Sequence, residues 1–374
     1  MSAPLPSDWV VCLALPNLSV NYTIENEHVA LVSSKDQRVL QLRDKHQNLD
    51  QYLDRFTDAF GRTIEPGVVI STQSALSEIP APNANAFLGF RDLVAVSVTC
   101  KNTAQTLNGS SMSSSRWSNT FWIYPWLLDK DYDSLTMSSV SVLGQHSVDD
   151  FAGQSTPGIA LSRIEKWDVD GPLLTHLLQR WSKMFLGKRK SSRDVALFRS
   201  LNMAYQASLA PSESYFREYD VGRIIALWIS AFEIIAHPRN KKSNVNSGSV
   251  FKLLETDHWQ NKRLIDKKYI VGRSRTRKRN LLIKICSELY RARHDYLHGN
   301  HLTEASLRIH RKGTNLLDCA APIYRLLLTS FLDIRYDHHT DYIGFPDELD
   351  RAFRGVLFRE MQKEHEDALL SAYK

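Results

Sequence analysis

The stretch Tyr219–Ala236 constrains this chain more than any other. Ile224, Ile225, Leu227, Trp228, Ile229, Phe232, Ile234 and Ile235 crowd into it, more than one apolar stripe on a surface helix would hold. It reads as a helix sunk in a core. Pro238 follows and cannot continue it. A buried helix needs partners, and the second half of the chain offers them. Pro172–Phe185 carries Leu173, Leu174, Leu177, Leu178, Trp181 and Phe185 along one side. Further helices are expected over Arg193–Ala210, Val250–Glu255, Asn280–His298, Asn315–Leu332 and Pro346–Leu370. The last is polar enough to lie at the periphery or to contact a partner. Arg239–Ser249, rich in Asn, Lys and Ser, reads as a loop.

Residues 1–160 have a different grain. Val10–Leu15, Val20–Ile24, His28–Ser33 and Leu93–Thr99 are short β-branched runs broken by Asn, Ser, Pro and Gly, which predicts strands. Leu49, Tyr52, Leu53, Phe56 and Phe60 predict a helix over Leu49–Phe60. Lys101–Asn119 reads as a mobile loop of Ser, Thr and Asn. Trp117, Phe121, Trp122, Tyr124 and Trp126 follow closely, either as core rings or as a pocket for a ligand or partner. The expected fold is therefore α+β in two domains. A strand-rich mixed α/β domain over 1–160 would sense or regulate, and an all-α bundle over 161–374 would follow.

Charge divides the chain near the same place. Residues 1–170 hold 12 Lys and Arg against 19 Asp and Glu, whereas the remainder holds 35 against 22. The basic half is the expected contact for a polyanion. No apolar run approaches the roughly 20 residues that cross a bilayer, and no basic stretch precedes Trp9–Leu15, so no signal peptide is read. Cys12, Cys100, Cys286 and Cys319 form no paired motif. A reducing, cytoplasmic setting is expected from that.

Arg291-Ala-Arg293-His294-Asp295-Tyr296-Leu297-His298-Gly299 closes the helix of Asn280–His298. Leu281, Leu282, Ile285, Leu289, Tyr296 and Leu297 mark its apolar side, and Gly299 stands where a helix-ending glycine belongs. His294 and His298, four residues apart, share one face. Arg293 lies on an adjoining face, from which its long side chain is expected to reach the same patch. Imidazole titrates near neutral pH and guanidinium is a fixed cation. Together they are what RNA cleavage without a metal requires, although both residue types are also favourable at a helix C-terminus for structural reasons alone.

Two features together resemble the HEPN superfamily, the "higher eukaryotes and prokaryotes nucleotide-binding" domains. One is the buried helix ending Trp228-Ile-Ser-Ala-Phe-Glu233-Ile-Ile. The other is Leu289-Tyr290-Arg291-Ala-Arg293-His294-Asp-Tyr-Leu-His298-Gly299. The likeness is to the branch found in bacterial abortive-infection and anti-phage proteins, and it covers about residues 195–335. Arg293, His294 and His298 match the family's motif of an arginine, a polar residue, three more residues and a histidine. The resemblance implies a helical bundle that forms a homodimer, with two copies of the motif in one cleft. It also implies a metal-independent endoribonuclease without a cofactor. Attack by a 2′-hydroxyl would leave a 2′,3′-cyclic phosphate on tRNA or mRNA. Arg293, His298 and His294 would be catalytic. Glu233 would support Arg293 or Arg291, and Asp295 would orient a histidine or merely face solvent. Other members of the family are inactive and serve as RNA- or nucleotide-binding or assembly modules. A phage-derived or protein trigger would act on the N-terminal domain.

Lys262, Arg263, Lys267, Lys268, Arg273, Arg275, Arg277, Lys278 and Arg279 precede the motif helix with one acid, Asp266, among them. They are candidate RNA contacts or a solvated charge run. Lys188, Arg189, Lys190 and Arg193, with Arg239, Lys241 and Lys242, are weaker candidates. Asp337, His338, His339 and Asp341 lack the spacing of a metal-ligand set, so no metal is expected. No phosphate-binding loop or serine or cysteine nucleophile motif is present.

Overall fold

Strand β1 (Trp9–Leu15) is buried along its whole length. It is followed by β2 (Leu18–Val20), β3 (Ile24–Glu25), β4 (Val29–Ser33), helices α1 (Gln37–Lys45) and α2 (Gln47–Asp54), β5 (Phe56–Thr57) and β6 (Gly67–Thr72). Strands β1, β6, β4 and β3 form a four-stranded sheet in that order, antiparallel throughout. The register of β1 on β6 slips between Val11 and Leu13. That bulge frees the Val11 N–H, which donates to the Tyr132 hydroxyl at 2.9 Å. Trp9, Val11, Val32 and Ile70 from the sheet pack with Leu49, Tyr52, Phe56 and Tyr124 into one core. The aromatic group fills this part of the molecule. Trp117, Phe121 and Tyr124 are buried, and Trp122 and Trp126 pack against the core.

The computed structural model describes residues 9–58, 60–78, 84–109, 117, 119–124, 126–129, 131–138, 143–150, 154–155, 162–209, 218–237, 245–255, 259–271, 277–309, 314–334 and 346–373. Next along the chain come α3 (Gln73–Glu78), α4 (Ala84–Leu107), β7 (Leu127–Leu128), β8 (Ser134–Ser138), β9 (Leu143–Ser147), β10 (Gln154–Ser155) and β11 (Ser162–Ile164). Helices α5 (Gly171–Phe185), α6 (Ser192–Ser208), α7 (Glu218–Ala236), α8 (Ser247–Leu254) and α9 (Lys262–Asp266) follow, then β12 (Tyr269–Val271), β13 (Arg277–Arg279) and α10 (Leu281–Leu297). The chain ends with β14 (Arg308–Ile309), β15 (Thr314–Asn315), α11 (Ala320–Leu332) and α12 (Pro346–Tyr373). Two compact units emerge, one of residues 1–91, 116–168 and 181–188, the other of 92–115, 169–180 and 189–374. The fold is mixed, strand-rich first and helical after.

Several expectations need correction. Leu93–Thr99 is not a strand but the middle of α4, which also takes the first residues of the expected loop Lys101–Asn119. A short apolar run buried on all sides carries no period that separates strand from helix. The helix expected over Leu49–Phe60 stops at Asp54, and Phe56 enters β5. The run Val20–Ile24 is split between β2 and β3. The second region is not purely helical, since β12–β13 and β14–β15 form short antiparallel ribbons. Helix α12 is not peripheral at its C-terminal end. Gln362, His365, Glu366, Ala368 and Leu369 are buried there, with Gln362 bonded to Arg325 and to Glu366, and His365 Nδ1 bonded to the Met361 carbonyl.

The core of that unit forms around α7, as its composition demands. Trp228 and Phe232 pack on Tyr324 of α11, with ring centroids 5.7 and 6.1 Å apart. Ser200 of α6 donates to the Ala231 carbonyl at 2.7 Å and shares a 2.6 Å hydrogen bond with the Tyr324 hydroxyl. Helix α10 lies against α7 with an unusually close approach. A Cβ built on Gly222 would overlap the Tyr296 ring. Glycine is therefore what lets the two helices seat near the motif.

Candidate functional site

Helix α10 is fixed at both ends. Asn280, buried before its first turn, accepts from the Ile283 N–H at 2.9 Å and donates to the Leu254 carbonyl at 2.9 Å, a side-chain N-cap anchored in the core. At the other end Gly299 takes φ +73°. Its N–H donates to Tyr296 O at 3.1 Å, and the Asn300 N–H to Asp295 O at 2.9 Å. These paired bonds across a left-handed glycine make a Schellman cap. The cap stops the helix at Leu297 and leaves His298 as its C-cap residue. Leu281, Leu282, Ile285 and Leu289 are buried, whereas His294 and His298 are exposed.

The imidazoles of His294 and His298 lie side by side, ring centroids 4.2 Å apart and tilted by 54°. The four-residue spacing brings them together as expected. Arg293 behaves differently from the expectation that it reaches their patch. Its Nη1 donates to Glu233 Oε1 of α7 at 3.0 Å, with side chains 27% and 22% exposed. Five residues along a helix turn through about 140° beyond one full revolution, so the guanidinium faces the neighbouring helix while His298 faces outward. Among the described residues Arg293 makes no hydrogen bond or ion pair to either histidine, and its buried Nε has no partner.

Glu233 is thus the partner of Arg293, while Arg291 pairs with Glu288 on its own helix at 2.6 Å. Burial, with the Cys286 thiol and the Glu233 carboxylate nearby, pushes the Tyr290 phenol upward. Tyr290 therefore stays protonated beside that carboxylate. Neither Cys286 nor Tyr290 was singled out in the sequence. Only their placement one turn apart on the α7-facing side of α10 could have suggested them. Among the described residues Asp295 makes no hydrogen bond or ion pair to a histidine. Its Oδ1 accepts from Asn300 Nδ2 at 3.3 Å, bracing the cap.

The described part of the basic run before α10 comprises α9 and the β12–β13 ribbon. Lys262 and Arg263 lie on α9, which Asn261 caps, and Lys267 and Lys268 follow it. All four are exposed. Lys268 Nζ donates to the Ile265 carbonyl at 2.8 Å. Strands β12 and β13 then form a ribbon in which Ile270 faces Lys278, both exposed, and Tyr269 faces Arg279. Arg279 is paired with Glu255 and so is a weaker candidate for phosphate. Arg277 lies on β13, its side chain outside the described residues together with Arg273 and Arg275. Lys188, Arg189 and Lys190 are exposed, and Arg193 Nη2 donates to the Phe331 carbonyl. Arg239, Lys241 and Lys242 lie outside the described residues, as do Asp337, His338, His339 and Asp341.

The four cysteines are free and buried. Among the described residues no group of three metal-binding side chains gathers, and no helix is long and apolar enough to cross a membrane. No family model matches the chain, and neither a curated protein nor a solved structure matches it.

Proposed function

We propose that the C-terminal end of α10 is the working end of a metal-independent endoribonuclease of the HEPN type, a cytoplasmic protein of bacterial anti-phage defence. The observation that carries this reading is the pair of exposed imidazoles held 4.2 Å apart by a capped helix end. One neutral imidazole, His298, takes the proton of an RNA 2′-hydroxyl as that oxygen attacks the adjacent phosphorus. A protonated imidazole, His294 or the equivalent of His298 from a second copy in a homodimer, gives a proton to the departing 5′-oxygen. The products are a 2′,3′-cyclic phosphate and a 5′-hydroxyl. Such acid–base work contributes about 100-fold or more in rate. The exposed cations Lys262, Arg263, Lys267, Lys268 and Lys278 hold the RNA backbone electrostatically. Arg293, held by Glu233 on the α7 side and turned from the imidazoles, keeps a fixed positive charge near the helix end rather than touching the phosphorane.

One observation favours a second reading, a non-catalytic RNA-binding module. The Arg293 guanidinium is already paired with a carboxylate, which lowers its value to an anionic transition state. Incubation with total tRNA in EDTA, followed by mapping of cleaved ends, separates the two. Cyclic-phosphate termini from the wild type, absent with His298→Ala, support the enzyme. Intact tRNA retained by the protein favours the binding module. Neither cleavage nor retention overturns both.

A further inference from the structure

The helix that carries the imidazoles also forms one wall of a cavity of about 170 Å³. Lys284, Glu288 and Arg291 line it, and their spacing of four and three residues puts them in one stripe of α10. Arg308 and Tyr373 close the rim, with Ile309 and Leu316 as apolar floor. The volume falls well below the roughly 300–1,000 Å³ of sites that enclose a drug-sized ligand. It suits a small molecule or one end of a larger one.

Electrostatics narrows the ligand. Three cations meet one carboxylate inside the cavity. Glu288 bridges Lys284 at 2.7 Å and Arg291 at 2.6 Å. Among the described residues Arg308 is held only by Glu304, which is 77% exposed, and exposed pairs of this kind contribute little. Arg291 and Arg308 are 64% and 49% exposed, so both forks can turn toward a ligand. The basic field continues beyond the rim. Tyr373 packs edge-on against Tyr269 at 5.1 Å, and the Lys267 ammonium lies 5.4 Å from the Tyr269 ring. Burial, then the Tyr269 phenol and the Glu288 carboxylate, push the Tyr373 phenol up to about 12. At neutral pH it is a hydroxyl that can donate.

We infer that this cavity binds a phosphate monoester, its phosphoryl oxygens taken by the guanidinium forks of Arg291 and Arg308 and its organic body laid on Tyr373, Ile309 and Leu316. Planar guanidinium forks match phosphate oxygens two at a time. The ester can be a small free molecule or the 5′-terminal phosphate of an RNA. Either occupant would sit on the helix that presents His294 and His298, but the site does not depend on cleavage.

The test uses the full chain with phenyl phosphate, and with one oligoribonucleotide carrying either a 5′-phosphate or a 5′-hydroxyl. Calorimetric affinities are compared for wild type, Arg291→Ala/Arg308→Ala, and the control Lys35→Ala/Lys45→Ala, which removes equal charge from exposed positions outside the cavity. Phenyl phosphate binding weakened tenfold or more by the arginine pair, and less than threefold by the lysine pair, supports the site with a free ester as ligand. A preference for the 5′-phosphorylated RNA that the arginine pair alone abolishes supports it with an RNA end as ligand. Absence of both effects, or equal losses in the two double variants, overturns it. Binding is read without cleavage, so an inactive protein leaves the test intact.

Discussion

Two arginine–carboxylate pairs in the helical unit share nearly the same geometry and differ in almost everything else. Arg325 donates from Nε to Asp170 at 2.9 Å with both side chains fully buried. Its Nη1 also donates to Thr329 at 2.9 Å and to Gln362. Gln362 in turn donates to Glu366 at 2.9 Å, and Glu366 accepts the backbone N–H of Gln260 and Asn261 at 3.0 and 2.6 Å. The chain of bonds ends at the start of basic helix α9. Arg293 and Glu233, at 3.0 Å, are instead part-exposed and leave donors open. A fully buried pair that is tied onward to Thr329 and Gln362 holds structure. A half-wet, half-used pair is where a ligand can still enter. The difference lies in what surrounds the pair, not in the pair.

Breaking the dry pair should cost most. Arg325→Leu strands the Asp170 carboxylate, and denaturant unfolding should show a loss of about 3–5 kcal/mol. Removing both partners, with Asp170→Leu added, should recover much of it. A single variant as stable as wild type would remove the contrast.

The same dry region should respond to acid. Burial, then the Arg325 charge, hold His365 down to about 4, below the ordinary imidazole value near 6.5. Asp170 opposes that shift, Glu364 is its chain neighbour, and Nδ1 bonds to the Met361 carbonyl at 2.7 Å. The unfolded chain takes the proton first. The contribution of neutral His365 is therefore full above about pH 6.5 and lost as pH falls toward 4, by up to about 3 kcal/mol. Glu364 and Glu366, which burial raises, act in the opposite sense. The readout is therefore the stability difference between wild type and His365→Gln, which should shrink between pH 7 and pH 4.

Gly222→Ala tests the approach of α7 to α10 beneath the wet pair. An added methyl meets the Tyr296 ring, so a change that usually strengthens a helix should here destabilise by about 1–3 kcal/mol. A rise in stability would mean the helices are not that close. Arg293→Ala should be milder still, about 1 kcal/mol or less, because solvent can replace its partner. A loss like that of Arg325→Leu would make Arg293 structural.

The helices around α7, α10 and α11 were legible because long apolar periodicities leave few alternatives. The side-by-side placement of His294 and His298 was legible for the same reason, since four residues return to one face. What failed was whatever depended on distant partners. Leu93–Thr99 has the composition of a strand, and only its burial on all sides within α4 separates the two. Arg293 was expected beside His298 because both sit on one short segment, yet a carboxylate 60 residues earlier in the chain turns it to α7. The pairing of Asp170 with Arg325 across 155 residues leaves no local trace in either segment.

An exposed imidazole pair at the wet end of α10 matters for function only if it performs RNA chemistry. Single-turnover cleavage of a defined oligoribonucleotide in EDTA, by wild type and by His298→Ala of matched thermal stability, tests this most directly. The account predicts cyclic-phosphate product from the wild type and a rate at least about 100-fold lower from the variant. Equal rates from the two proteins, or no cleavage by the wild type, would contradict it.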